Sequence, residues 1–254
     1  MKLYYQTIGS GQPLIILHGL FGSSDNWRAV AKQLATQAQV IIVDLRNHGR
    51  SPHSPEQTYA LMVEDLAELF ERLKLDKVDI IGHSMGGKVA MAFSMRYPQC
   101  VRNLVVVDIA PRQYHDEHSV IFRTLLTLDL SLYSSRIDVD DALKIALPNK
   151  AVRQFLLMNL GLNGEQLSWR INLQALYDNY SQLLVAVCED ETITIPSLFI
   201  RGGQSNYISD EDEDLIRTCF PYAALATIKQ AGHWVHAETP QQFLTKITEF
   251  LDYD

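Results

Sequence analysis

The chain has 254 residues, enough for one large domain or for one domain carrying an insertion, and its 47% apolar content supports a packed core rather than disorder. A formal net charge of -8 without basic runs is a poor match to nucleic acid or to an anionic membrane surface. Three widely spaced cysteines, Cys100, Cys188 and Cys219, give neither a disulfide framework nor a zinc spacing, which points to a reducing, cytoplasmic setting.

The first residues, Met1 to Gln6, lack the apolar stretch of a signal peptide, and no apolar run reaches the roughly 18 residues that span a bilayer. Leu3 to Ile8 read as an edge strand closed by Gly9-Ser10-Gly11. Leu14 to Leu17 and Val40 to Val43 are apolar throughout, as strands covered on both faces are. Between them, Ser24 or Asp25 caps a helix over Trp27 to Ala35. The spacing of Leu61, Leu66, Leu69, Phe70 and Leu73 predicts a helix over Thr58 to Leu73. Val78 to Ile81 form the next strand, Lys88 to Phe93 open a helix that ends near Tyr97-Pro98, and Leu104 to Val107 form a further strand. Strands alternating with helices predict a mostly parallel sheet with right-handed crossovers.

That alternation stops at Arg112. As far as Thr192 there is no clear β run, only helical patterns around 119–130, 140–147, 151–160 and 173–188. Residues 112–192 therefore read as a helical cap inserted into a core made of 1–111 and 193–254. Alternation resumes with a strand at Ser197 to Ile200, a helix over Glu211 to Cys219, a strand over Ala223 to Ile228 and a last helix over Pro240 to Leu251. The acid run Asp210 to Asp214 suits a helix N-terminus, where the dipole favours negative charge.

The chemistry is concentrated where strand turns into helix at Gly82-His83-Ser84-Met85-Gly86-Gly87. Gly-x-Ser-x-Gly in that context is a nucleophile elbow. The glycines let strand and helix approach each other, and the serine side chain projects above the sheet at the positive end of the following helix. An activated serine needs a base, and an acid to orient that base. In open parallel sheets such groups lie just beyond the carboxyl ends of strands, which makes candidates of His18, Asp44, Ser84, Asp108 and His233.

These features resemble the α/β-hydrolase superfamily, and within it the small YbfF-type bacterial esterases. The resemblance rests on His18-Gly19-Leu20-Phe21-Gly22, Asp44-x-Arg46-x-x-Gly49-x-Ser51, the elbow, Val107-Asp108-Ile109-Ala110-Pro111 and Gly232-His233-Trp234-Val235-His236-Ala237-Glu238. It implies an α/β fold: a twisted, mostly parallel sheet with helices on both faces and an inserted helical cap. It also implies Ser84 as nucleophile, His233 as general base, and an oxyanion hole from the backbone N–H groups of Leu20 and Met85. Most of the superfamily carries its acid in the loop after the strand at 197–200. Here that loop reads Arg201-Gly202-Gly203-Gln204-Ser205, with a serine at the expected place, so Asp108 is taken as the acid, with Asp44 the lesser alternative.

The implied substrate is a small carboxylic ester or an acyl-CoA thioester, with a short to medium acyl chain under the cap. Phe21, Phe155 and Trp169 are the expected substrate-binding side chains. Arg123, Lys144, Lys150, Arg153 and Arg170 could meet a CoA phosphate but read more simply as a solvated face. His83 reads as packing, His236 as structural, and His115-Asp116-Glu117-His118 as a polar helix start rather than a metal site. With no P-loop or dinucleotide fingerprint, no cofactor is expected. A monomer or small homo-oligomer is expected. The same scaffold also supports a carbon–carbon lyase or synthase of the menaquinone-pathway type, or a non-catalytic receptor.

Overall fold

Apolar runs of this kind must be covered on both faces, and the chain covers them by alternating sides. The computed structural model describes residues 1–188 and 191–252. In chain order the strands are β1 (Tyr4–Ile8), β2 (Gln12–Leu17), β3 (Ala38–Asp44), β4 (Val78–His83), β5 (Val101–Val107), β6 (Leu160–Asn163), β7 (Gln166–Trp169), β8 (Ser197–Gly202) and β9 (Ala223–Ile228). Seven of them form one sheet in the order β1-β3-β2-β4-β5-β8-β9, while β6 and β7 pair with each other. Within the large sheet β1 runs antiparallel to β3, and the other neighbours are parallel.

The helices are α1 (Arg28–Leu34), α2 (Tyr59–Leu73), α3 (Met85–Arg96), α4 (Ser119–Thr127), α5 (Arg136–Leu143), α6 (Lys150–Leu157), α7 (Leu173–Asp178), α8 (Tyr180–Leu184), α9 (Asp212–Cys219), α10 (Val235–Glu238) and α11 (Pro240–Leu251). Side chains alternate along a strand, so Leu14, Ile16, Val40, Ile42 and Val105 join α1 and α11 in one core. Ile15, Leu17, Ile41, Val43 and Val106 join α2 and α3 in the other. Thr58 caps α2 by accepting from Leu61 N, and Lys74 ends it in the left-handed region at φ 54°.

Between β5 and β8 the chain differs from the purely helical expectation. Leu160–Asn163 and Gln166–Trp169 form a hairpin around Gly164-Glu165, with Gly164 at φ 63°. A glycine at the first position of a two-residue loop matches the twist of the flanking strands, and the hairpin follows α6, which realises the helical spacing expected around 151–160. The helix expected over 173–188 is instead α7 and α8, separated at Asn179, whose side chain donates to Pro55 O and Ala175 O, both at 2.8 Å. The segment between β5 and β8 is fastened to α2 and α3 by buried polar groups. Lys88 Nζ donates to Arg112 O at 2.8 Å and Val185 O at 2.5 Å, and Tyr59 OH donates to Leu183 O at 2.8 Å. Burial, followed by the nearby Arg112 charge, pushes the Lys88 pKa down to about 7.

Candidate active site

Ser84 sits between the end of β4 and the start of α3 with φ 51° and ψ −119°, a conformation L-residues avoid unless the surroundings enforce it. Here the surroundings are two hydrogen bonds and two missing side chains. Ser84 N donates to Val107 O at 3.0 Å, and Ser84 O accepts from Lys88 N at 3.1 Å. A Cβ on Gly82 would lie 2.3 Å from Gly86 O, and one on Gly86 would lie 2.5 Å from both Leu17 O and His18 O. The Gly-x-Ser-x-Gly spacing is thus a packing requirement between β2, β4 and α3.

Asp108 follows β5 directly, fully buried and at φ 51°. Its Oδ2 accepts from His233 Nδ1 at 2.8 Å and from the Ser205 hydroxyl at 2.5 Å, and its Oδ1 accepts from Gly202 N at 2.8 Å. Ser205, at the position where an acid was expected, therefore hydrogen-bonds Asp108 instead. Asp44 plays a different part. Its oxygens accept from Ser24 N at 2.6 Å and Arg50 N at 2.8 Å, tying the loop after β3 to the loop after β2.

His233 lies in the loop after β9 and is held from four sides. Asp108 takes its Nδ1–H, which leaves Nε2 as the basic nitrogen. Glu238 accepts from Gly232 N at 2.7 Å and Trp234 N at 3.2 Å, bracketing the histidine in the backbone. His83 Nε2–H donates to His233 O at 2.9 Å. The Tyr207 ring stacks on the imidazole, with centroids 3.8 Å apart and planes 20° apart. Burial, reinforced by the neighbouring His233 and His236, keeps the His83 pKa well below the usual histidine range, so its ring is neutral.

The loop carrying Leu20 is fixed by two more buried imidazoles. His18 Nδ1–H donates to Gly19 O at 2.8 Å while its Nε2 accepts from Leu45 N at 3.0 Å. His48 Nδ1–H donates to Arg46 O at 2.9 Å while its Nε2 accepts from Phe21 N at 3.3 Å. Burial lowers the pKa of both, that of His48 to about 3. Phe21, at φ 61°, accepts at its carbonyl from Asn159 Nδ2 at 2.6 Å, so the residue just before β6 also holds this loop.

Two cavities meet at Ser84. The smaller, about 40 Å³, is lined by Leu20, Met85 and Lys88, and the larger, about 210 Å³, by Leu20, Phe21, Phe155 and His233. Ser84, Glu117, His118 and Tyr207 line both. The structure thus brings together Ser84, His233, Asp108, Leu20, Met85, Phe21 and Phe155. Trp169 is a correction: it lines neither cavity, because β7 pairs it with Leu160 and it packs against the large core cluster.

The polar helix start expected at His115–His118 is present: His118 is the N-cap of α4, and Asp116 Oδ1 accepts from His118 N at 3.1 Å and Ser119 N at 3.0 Å. Glu117 and His118 face the cavities, and His118 Nδ1 lies 2.8 Å from Tyr180 OH. Burial and the nearby His233 push the His118 pKa down to about 4. Of the basic side chains of the insertion, Arg153 is buried rather than solvated and pairs with Asp140 at 2.8 Å. Arg170 lies 3.8 Å from Asp25, and Lys144 lies 2.5 Å from Asp141. Sequence reasoning missed Ser205, Tyr207 and Glu238 as partners of the acid and the imidazole. Only Glu238 had a local signal, a carboxylate five residues after the histidine.

The sequence profile of the alpha/beta hydrolase fold matches residues 12–240. The chain belongs to the α/β-hydrolase family. Its relatives include the sn-1-specific diacylglycerol lipase ABHD11 of Danio rerio, 40% identical over 96% of this chain and 79% of that protein. Esterase YbfF of Escherichia coli is 37% identical over 96% of this chain and 94% of its own length. Among solved structures, a marine microorganism esterase superposes with a TM-score of 0.96 at 41% identity, covering 98% of this chain and 99% of the other. The coarse class that follows for this α/β hydrolase is an esterase- or lipase-type enzyme. Among its described residues, no helix is long and apolar enough to cross a membrane.

Proposed function

We propose that the protein is a serine hydrolase that cleaves carboxylic esters through an acyl-enzyme. The observation that carries this reading is the 2.8 Å Asp108–His233 hydrogen bond, with Ser84 and His233 lining one cavity. Ser84 Oγ attacks the ester carbonyl as its proton passes to His233 Nε2. The oxyanion is received by the N–H groups of Met85, the first residue of α3, and Leu20. On collapse the C–O bond breaks and the departing alkoxide takes the proton from His233. Water then repeats the sequence on the acyl-enzyme, releasing the acid and restoring Ser84. Asp108 stays ionised throughout, orienting the imidazole and stabilising its charged form.

Residues 112–192 act as a cap over a core of 1–111 and 193–254. Phe21, Ile121 and Phe155 give the cleft an apolar wall that limits water, with Phe122 packed behind Phe21. Neutral esters are favoured over CoA thioesters, because Arg153, Arg170 and Lys144 have carboxylates beside them. The named relatives act as esterases and as a lipase of diacylglycerol, a neutral ester, which supports the same substrate class.

The test is Ser84→Ala on p-nitrophenyl butyrate beside butyryl-CoA. A loss of roughly 10⁴-fold or more in kcat is expected, together with loss of the covalent adduct that a fluorophosphonate forms with the wild type. A variant that kept its rate, or a wild type that took no adduct, would refute the serine mechanism.

A further inference from the structure

The larger cavity is the one that contains His233, and the smaller is the one lined by Met85. The proton on His233 must reach the leaving oxygen, so the departing alcohol lies on the His233 side of Ser84. At about 210 Å³ that space is below the roughly 300–1,000 Å³ of ordinary ligand pockets. A second space of about 520 Å³ adjoins it, and Phe155 and Trp234 are the side chains that line both.

We propose that a long apolar arm on the substrate's alcohol passes between Phe155 and Trp234 and lies in this outer groove. The inference rests on the ester-hydrolase reading and adds the alcohol class to it. The two rings form the partition, with centroids 5.0 Å apart and planes inclined by 41°. Phe155 comes from α6 of the insertion and Trp234 directly follows the imidazole, so the partition spans insertion and core. Both side chains are half-buried, so each presents part of its surface to solvent. Beyond them Ala151, Met158 and Ala237 continue the apolar wall, and the unbranched Met158 adapts to a flexible chain. Among the described residues the groove is lined by the carboxylates Asp25 and Glu238 and by no lysine or arginine. The arm and its end are therefore uncharged rather than phosphorylated.

The experiment compares two ester series on wild type, Phe155→Ala, Trp234→Ala and Ala151→Trp. One series varies the alcohol, from ethyl to dodecyl acetate. The other varies the acid, from p-nitrophenyl acetate to laurate. Removing either ring should raise the dodecyl-to-ethyl ratio of kcat/KM by about tenfold, and filling the groove with Ala151→Trp should lower it by a similar factor. The laurate-to-acetate ratio should stay constant. Alcohol ratios unmoved in all three variants, or equal changes in the acid series, would overturn the proposal. A wild type inactive on both acetates would instead remove the ester-hydrolase reading beneath it.

Discussion

Asp108 shows how one residue's role is set by three partners that lie far from it in sequence. Its carboxylate receives His233 Nδ1 from the loop after β9, and the Ser205 hydroxyl and Gly202 N from the end of β8. Asp108→Asn keeps the shape but presents an amide to an imidazole that needs an acceptor. The wrong tautomer is then favoured, and kcat on p-nitrophenyl butyrate should fall on the order of 10⁴-fold. Ser205→Ala removes one hydrogen bond and leaves the other two, so a loss of about tenfold is expected, from one charge-assisted bond. Equal losses in the two variants would place the acid's function in the Ser205 loop. Asp108 was legible because it ends an apolar strand on the correct sheet edge and because Ser205 stands where an acid was expected. Tyr207 was not legible, since a stacked ring has no spacing rule and acts on His233 only after folding; Glu238 had only its place five residues after the histidine as a signal.

At the scale of elements, strand and helix periodicity located the core closely. The last helix, Pro240–Leu251, and the last strand, Ala223–Ile228, have the bounds the pattern predicts. The elbow is the point where three elements constrain one another. Gly86→Ala would place a methyl 2.5 Å from the carbonyl oxygens of Leu17 and His18, neither of which can yield without moving β2. The variant should lose at least about 2 kcal/mol, read as a lower urea midpoint at unchanged slope. An unchanged midpoint would show that β2 and α3 are not in fixed contact. The insertion was read less well, since its short helices and its hairpin are stabilised by packing on one another and by the hydrogen bonds of Lys88 and Tyr59. Local periodicity is a weak guide where elements are only four to nine residues long.

For the whole molecule, the buried imidazoles couple the architecture of the site to pH. His48, His118 and His236 have pKa values of about 3, 4 and 3, each lowered chiefly by burial. In the unfolded chain the same groups titrate near 6.5. Their neutral burial is fully compatible with folding above about pH 6.5. As pH falls from there toward 4 the unfolded chain takes up protons that the native state does not. Stability should then fall by as much as about 1.4 kcal/mol per pH unit for each histidine, measured as urea midpoints between pH 7 and 4.5. His236 stacks on Trp27 at 3.9 Å, and its buried Nδ1 has no hydrogen-bond partner among the described residues. His236→Phe should keep that stack and flatten the slope by one histidine's share, whereas an unaltered slope would show that His236 is protonated in the native state.

The sequence by itself determined the sheet and the elbow, and it placed Ser84, Asp108 and His233 at strand ends. Strand runs, glycine spacing and strand-end positions are local properties that survive in one dimension. Only the tertiary structure decided which carboxylate meets His233, that Trp169 faces away, and that Glu117 and His118 reach the cleft. Those outcomes depend on where loops from distant strands converge, and hydrogen-bond partners and stacked rings are chosen by that convergence rather than by neighbours along the chain.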